Sequence, residues 1–338
     1  MNPTVAVIIP AWNAEPTLNE CLRSLQGQTS PAEEVILVND GSSDGTAKIA
    51  ASYSVRILDT GGRRGPATAR NMGAKDASSD VLLFLDADVT VPRDLLDNVR
   101  KHFNERSVWA VQTLYTPICP ALDSVSRYQN FYYWYSLNRM PQGPTATFAT
   151  WCAAVLRSKF LEIGGFNVRI PEPTVEDEEL GYTIADCGGH IFLDKDVLVT
   201  HLASYSLSQF TRRRLRMARA QAKSGWRQIK NRLIARYINV RESGTHHSRW
   251  VVLSILMVLL GELSLMAGLF SMNPNLVWTG GCLVVLALLC HWKFLRMASE
   301  KMGRRFFLTF AFLCLYDMAV LGWGILQGTF QFAIGKKY

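Results

Sequence analysis

The seven cysteines of this 338-residue chain form no CxxC pair, and their number is odd. That spacing excludes the common zinc motifs, and the odd count suits a reducing compartment better than a disulfide framework. Neither GxGxxG nor GxxxxGKS/T occurs. The glycine-rich phosphate loops of dinucleotide oxidoreductases and P-loop enzymes are therefore missing. There is no internal repeat and no low-complexity segment. Met1-Asn2-Pro3 carries no basic stretch, and the apolar run at 5–9 is too short for a signal peptide, so the first half is expected to stay in the cytoplasm. Acidic residues are in the minority, 28 against 36 basic, for a net charge of +8. An excess of this sign asks for an anionic partner. It is concentrated at 212–249 and 293–305, beside apolar runs, which favours a membrane surface and argues against nucleic acid.

What is present is unevenly spread. Up to about residue 239 the chain alternates short β-branched runs with helical spacing. Strands are expected at 4–9, 35–38, 55–58 and 81–85, with helices at 17–26, 46–51 and 67–75 between them. Further strands are expected at 109–114, 146–156, 191–193 and 197–200, and helices at 124–138, 176–185 and 206–238. Buried strands separated by helices of this length predict a mostly parallel sheet covered on both faces. Ligands of such sheets bind beyond the carboxyl ends of the strands. Pro10, Asn39-Asp40 and Asp86-Ala87-Asp88 all fall at such ends, so three strands direct polar chemistry to one edge.

From residue 250 the chain is mostly apolar. Runs at about 250–270, 276–292 and 306–332 approach or exceed the ~20 residues that cross a bilayer. Arg241 and Arg249 precede the first run, and Lys293, Arg296, Lys301, Arg304 and Arg305 lie between the second and third. The turn at 271–275 has no charge. The positive-inside rule then puts the N-terminal half and the second loop in the cytoplasm, as in a multi-pass protein of an inner membrane. Three full crossings would send Lys336-Lys337 to the other side, which makes the third run the weakest candidate. It contains Gly322, Gly324 and Gly328, which permit close helix packing and with it self-association. Glu262 and Asp317 lie inside the runs, where carboxylates are costly and face protein or a polar path. The basic segment 212–241, with Leu215, Trp226, Ile229 and Leu233 interleaved, suits an anionic lipid surface.

Two carboxylates one residue apart at the end of a buried strand, Asp86 and Asp88, suit one hard cation, Mg²⁺ or Mn²⁺, bridging to phosphate. In Val38-Asn39-Asp40-Gly41-Ser42-Ser43-Asp44-Gly45-Thr46 the glycines allow a tight turn, and Asp40 is placed to accept hydrogen bonds from a base or ribose. Asp44 or Thr46 equally suits a helix cap. Taken in order, Val7-Ile8-Ile9-Pro10-Ala11-Trp12-Asn13, the 38–46 segment, Ala69-Arg70-Asn71-x-Gly73 and Phe84-Leu85-Asp86-Ala87-Asp88 resemble the nucleotide-sugar-binding half of glycosyltransferase family 2. The resemblance covers roughly residues 4–225.

That resemblance implies a GT-A fold and a nucleotide-diphospho-sugar donor, UDP- or GDP-linked. It implies that Pro10, Ala11 and Trp12 line the base pocket, with Asp40 at the base or ribose and Ser42 assisting. Arg70 neutralises the diphosphate, with Arg212 also reaching it. Asp88 is the main metal contact, Asp86 turns toward the ribose as well as the metal, and His201 is a third ligand to Mn²⁺ or Mg²⁺ or else a diphosphate contact. On the acceptor side stand Gly164-Gly165-Phe166, Trp151, Gln209 and Glu176-Asp177. Asp177 matches the family's general base, which takes the acceptor's hydroxyl proton, and single displacement inverts the anomeric carbon. Relatives that glycosylate a polyprenyl phosphate need no base and usually lack the Glu-Asp pair, so its presence favours a hydroxyl on a glycan, lipid or peptide. Gln209-Phe210-Thr211-Arg212-Arg213 resembles the Gln-x-x-Arg-Trp motif of processive synthases, but Arg213 stands where the tryptophan belongs, which favours single-sugar addition.

The expected organisation is a GT-A catalytic domain at 1–225, a basic interfacial segment at 206–249 and a membrane region at 250–338. A polyprenyl-phosphate glycosyltransferase, a sugar nucleotidyltransferase and a catalytically silent membrane scaffold are the alternatives.

Overall fold

A computed structural model describes residues 2–170, 172–230 and 249–336. The chain divides into two compact units. The first takes residues 2–120 and 137–203; the second takes 121–136, 204–230 and 249–336. The catalytic domain expected at 1–225 therefore draws on both.

The first unit is a mixed sheet of nine strands with helices against it. β1 (Val5–Ala11), β2 (Glu34–Asn39), β3 (Arg56–Asp59) and β4 (Val81–Leu85) are parallel in the order β3-β2-β1-β4. β1 and β4 are apolar on both faces because helices cover both sides. α1 (Leu18–Gln26) buries Leu18, Cys21, Leu22 and Leu25, the spacing of one helical face. α2 spans Thr46–Ala51 and α3 spans Pro66–Asp76. At Gly73 a Cβ would lie 2.6 Å from Ile8 Cγ2, so only glycine lets α3 press this closely onto β1. Register brings Ala11 beside Asn39 and Asn39 beside Asp59. The carboxyl ends of β1, β2 and β3 are thus level.

β5 (Val89–Thr90) and α4 (Leu95–His102) follow, then β6 (Val108–Tyr115). α4 is an addition to the expected elements, a short helix that buries Leu95, Leu96 and Val99. Of the strand expected at 146–156 only the end is formed, as β8 (Cys152–Leu156), and a short β7 (Gly143–Thr145) precedes the expected run. Between them side chains replace the ladder. Thr145 Oγ1 accepts from Thr147 N, Gln112 Oε1 from Ala149 N and Asp177 Oδ2 from Thr150 N. β8 runs antiparallel to both β4 and β6, and α6 (Arg157–Glu162), also unforeseen, follows it directly. α7 spans Glu176–Asp186. The two short strands expected at 191–193 and 197–200 are one, β9 (His190–His201), parallel to β6 with an irregular register at Gln112/Leu114. Asp194 Oδ1 accepts from Asp196 N within it.

The second unit is helical. α5 (Ser124–Asn138) contributes its first residues, followed by α8 (Leu207–Lys230), α9 (Arg249–Phe270), α10 (Pro274–Cys290), α11 (Trp292–Met302) and α12 (Arg305–Ala333). The basic helix expected to reach 238 lies beyond the described residues after 230. Among the described residues two helices, α9 and α12, are long and apolar enough to cross a membrane. The expected span at 276–292 is instead α10 plus α11, bent by 57° at a break, and counts as a third only if the pair is one span. Tyr128 and Phe131 pack edge-on or tilted against Phe294 and Phe310, which stack on each other.

Candidate active site

At the carboxyl end of β1, Trp12 is 46% exposed, and the guanidinium of Arg63 lies 3.8 Å from its ring centroid. A cation over an indole face is an attractive pairing. Pro10 and Ala11 are the last residues of β1 below it. Ser42 Oγ accepts from Asn13 N at 3.0 Å, and Asn13 Oδ1 accepts from Ser43 N at 2.9 Å. These two bonds clamp the β1 end to the turn after β2. Gly41 sits at φ +74°, where a Cβ would be 2.7 Å from Arg63 N, so glycine is required on both counts.

Asp40, expected at the base or ribose, is buried and holds protein groups in this structure. Oδ1 accepts from Thr60 Oγ1 at 2.9 Å and Arg64 N at 2.8 Å, and Oδ2 from Gly65 N at 2.8 Å. The carboxylate thereby fixes the 60–65 loop and, with it, Arg63 over Trp12. Arg63 was not singled out in the sequence. Its signal is a basic pair inside Gly61-Gly62-Arg63-Arg64-Gly65, at a strand end.

Arg70, expected to face the diphosphate, is only 3% exposed. Nη2 meets Asp86 Oδ1 at 2.8 Å and Nη1 meets Glu176 Oε1 at 3.0 Å. Burial opposes its charge, yet Asp86 and Glu176 hold its pKa above the ordinary value. Glu176, placed by sequence on the acceptor side, is buried, and its other oxygen accepts from Thr174 N. One guanidinium thus joins the end of β4 to the start of α7.

Asp177 is the next residue of α7 and remains partly exposed. Its oxygens accept from Thr150 N at 3.2 Å and Glu178 N at 2.8 Å. Burial, followed by the carboxylates of Glu176 and Glu178, pushes its pKa well above the usual range, with Arg70 opposing. A carboxyl so placed is suited to taking a proton.

Asp88 Oδ2 lies 3.3 Å from His201 Nε2, across the β5·β9 pairing that sets Val89 opposite His201. Among the described residues no three His, Cys, Asp or Glu side chains gather to hold a metal ion. Of the expected trio, Asp86 Oδ1 faces Arg70 and Asp88 Oδ2 faces His201. A carboxylate beside an imidazole fits a divalent cation of the Mn²⁺ type, which Asp88 and His201 would hold.

Trp151, assigned to the acceptor, is packed in the protein. Its ring stacks on Tyr115 at 4.6 Å, and its Nε1 donates to Thr113 O at 3.4 Å. Its carbonyl accepts from Asp86 N. Gln209 and Arg212 belong to α8 in the second unit, where Gln209 Oε1 accepts from Ser206 N and closes the helix start.

Comparison with known proteins bears on the family and the fold. The family model described as Glycosyl transferase family 2 matches residues 6–164. A pre-mycofactocin glycosyltransferase of Mycobacterium tuberculosis is 28% identical over 206 residues, covering 58% of this chain and 42% of that protein. The chain thus spans less than half of that curated relative. A mannosyltransferase of Pyrobaculum calidifontis, solved with GDP-Man and Mn²⁺, has a TM-score of 0.57 at 21% identity, covering 95% of this chain and 87% of that one. GalNAc-T7, solved with UDP, GalNAc and Mn²⁺, gives 0.50 at 19% identity over 60% of this chain and 44% of that one. Residues 6–164 are thus a glycosyltransferase family 2 segment, in a chain whose mixed α/β sheet has a GT-A-like fold.

Proposed function

We propose that this protein transfers a sugar from a nucleoside-diphospho-sugar, UDP- or GDP-linked, to a hydroxyl on a glycan, lipid or peptide close to the membrane, inverting the anomeric carbon. The observation that carries this reading is the placement of Asp177. It sits at the start of a helix whose neighbouring Glu176 is tied through Arg70 to Asp86, so donor-side and acceptor-side acids share one rigid network. Trp12 presents an open aromatic face for a base, with Arg63 above it. The acceptor oxygen attacks the anomeric carbon as its proton passes to Asp177. The bond from that carbon to the diphosphate breaks with the electron pair going to the leaving oxygen, and the nucleoside diphosphate departs. When Mn²⁺ or Mg²⁺ is bound, Asp88 and His201 would hold it, and it supplies Lewis-acid charge toward the diphosphate. The apolar helices support membrane association of a cytoplasmic catalytic unit, as in an inner membrane. The ligands of the two solved proteins support the donor class.

The test is donor turnover by the purified protein in detergent, with UDP- and GDP-sugars, Mn²⁺ or Mg²⁺ and a membrane lipid extract. The reading expects metal-dependent release of UDP or GDP that is lost in Asp88→Ala, with transfer lost in Asp177→Asn. Transfer that survives Asp177→Asn marks a phosphate acceptor. Pyrophosphate release marks a nucleotidyltransferase, and no donor binding marks a silent scaffold.

A further inference from the structure

We propose that α12 does not cross the membrane but lies along its surface, paired with α8, so that the two helices form one in-plane layer against an anionic lipid bilayer.

The two helices run side by side and in the same direction. Thr211 Oγ1 meets Tyr316 OH at 2.7 Å, and Arg214 binds Asp317 with two bonds of 2.6 Å. Further along, Arg219 Nε donates to Gln327 Oε1 at 2.7 Å and Trp226 Nε1 to Thr329 Oγ1 at 3.2 Å. The Trp226 ring stacks on Phe332 at 6.3 Å. Backbones touch between these points. A Cβ on Gly324 would lie 2.5 Å from Ala218 Cβ, and one on Gly328 would lie 2.5 Å from Arg219 O. Whatever depth α12 reaches from residue 316 onward, α8 reaches beside it. Over the matching length α8 carries Arg212, Arg213, Arg216, Arg219, Lys223 and Arg227. A crossing α12 would draw that series of cations through hydrocarbon, where charge is costly.

The position of α12 on the helical hairpin agrees. Ser264 Oγ donates to Leu276 O, and Gly261 and Gly268 face Gly280 and Val277, so the far half of α9 packs on α10. α12 meets the opposite end of this hairpin. Met318 and Leu321 join a core with Val251, Ile255 and Ala287, and Gly322 abuts Leu259. That end follows the basic segment, the side expected to face the cytoplasm. Burial, then Arg227, Lys336 and Arg219, hold the Lys223 pKa on α8 below its ordinary value.

The free face of α12 suits this placement. Leu308, Phe312, Trp323, Leu326, Phe330 and Ile334 are exposed, and their spacing follows 3.6 residues per turn along one stripe. At ~1.5 Å per residue the helix is about 44 Å long, well beyond a ~30 Å hydrocarbon core. An apolar stripe flanked by a row of cations matches acyl chains beside anionic headgroups. α9 remains as a membrane-crossing helix, with the bent pair of α10 and α11 as its return span.

This inference is independent of the sugar-transfer reading, and its test needs no donor. The full chain is given a different epitope tag at each terminus and a third inserted at Gly303, just before α12, and placed in sealed inverted and right-side-out vesicles. Protease added outside is expected to remove all three tags together, from inverted vesicles only. Protection of any one tag while another is removed overturns the proposal. The lipid half is read by hydrogen exchange in nanodiscs of phosphatidylcholine, with or without phosphatidylglycerol. Amides of 207–230 are expected to exchange more slowly when phosphatidylglycerol is present, and equal exchange in the two lipids overturns the anionic partner.

Discussion

Arg70 donates from Nη1 to Glu176 Oε1 at 3.0 Å, joining side chains 106 residues apart in the chain. Both are buried, and the second guanidinium arm reaches Asp86. The pairing sets the distance between the end of β4, which Asp88 follows by three residues, and the start of α7, which carries Asp177.

Arg70→Met leaves two carboxylates without their cation. Breaking a buried pair from one side costs about 3–5 kcal/mol, and thermal unfolding of the variant should show a loss of that order. Arg70→Lys keeps a charge but cannot span both partners, and should recover only part of the stability.

Asp177→Asn should lower kcat by about 10²–10⁴, the usual range for a general base, while donor affinity stays unchanged. The base works only when deprotonated, and its pKa is raised by burial and by Glu176 and Glu178. The acid limb of the pH–rate profile should therefore lie above the ordinary carboxylate range. Glu178→Gln removes one like charge and should move that limb to lower pH.

Trp12→Ala removes the exposed indole face. Base–aromatic stacking contributes about 1–3 kcal/mol, so donor affinity should fall by that amount in a binding titration. Arg63→Ala should produce a smaller loss, since the indole remains.

Glu34 Oε1 accepts from the N–H and hydroxyl of both Ser78 and Ser79 at 2.7–3.0 Å. Burial works against its charge, but these four donors outweigh it and bring its pKa from 4.5 down to about 2. A lowered carboxylate stabilises the fold above its unfolded pKa and loses that contribution as pH falls through the folded one. Stability should decline between pH 4.5 and about 2, and Glu34→Gln, measured at neutral pH, should cost about 1–3 kcal/mol.

Arg214→Met should destabilise more than the paired change Arg214→Met with Asp317→Leu. The single variant leaves Asp317 fully buried without its cation, whereas an apolar pair of similar volume avoids that cost. Denaturation midpoints of the three proteins give the comparison.

Much of the first unit was legible because its signals are local. Apolar β-branched runs ended by Asp40 and Asp86 mark strand ends, and Leu18, Cys21, Leu22 and Leu25 mark a helix face. The break at 146–151 was not legible: the run is apolar enough for one strand, and only Gln112 and Asp177, distant in sequence, divert its N–H groups. α6 was equally hidden, being too short for a period to show.

By itself the sequence determined which residue types stand at the strand ends, and through them the family, the sheet and the apolar C-terminal helices, because periodicity and motif order are properties of neighbours along the chain. Only the tertiary structure decided what those residues meet. It turned Arg70 inward to Asp86 and Glu176, gave Asp40 to the 60–65 loop, set Arg63 over Trp12 and laid α8 along α12. A long charged or amphipathic side chain can reach many partners, and packing of segments far apart in sequence selects among them.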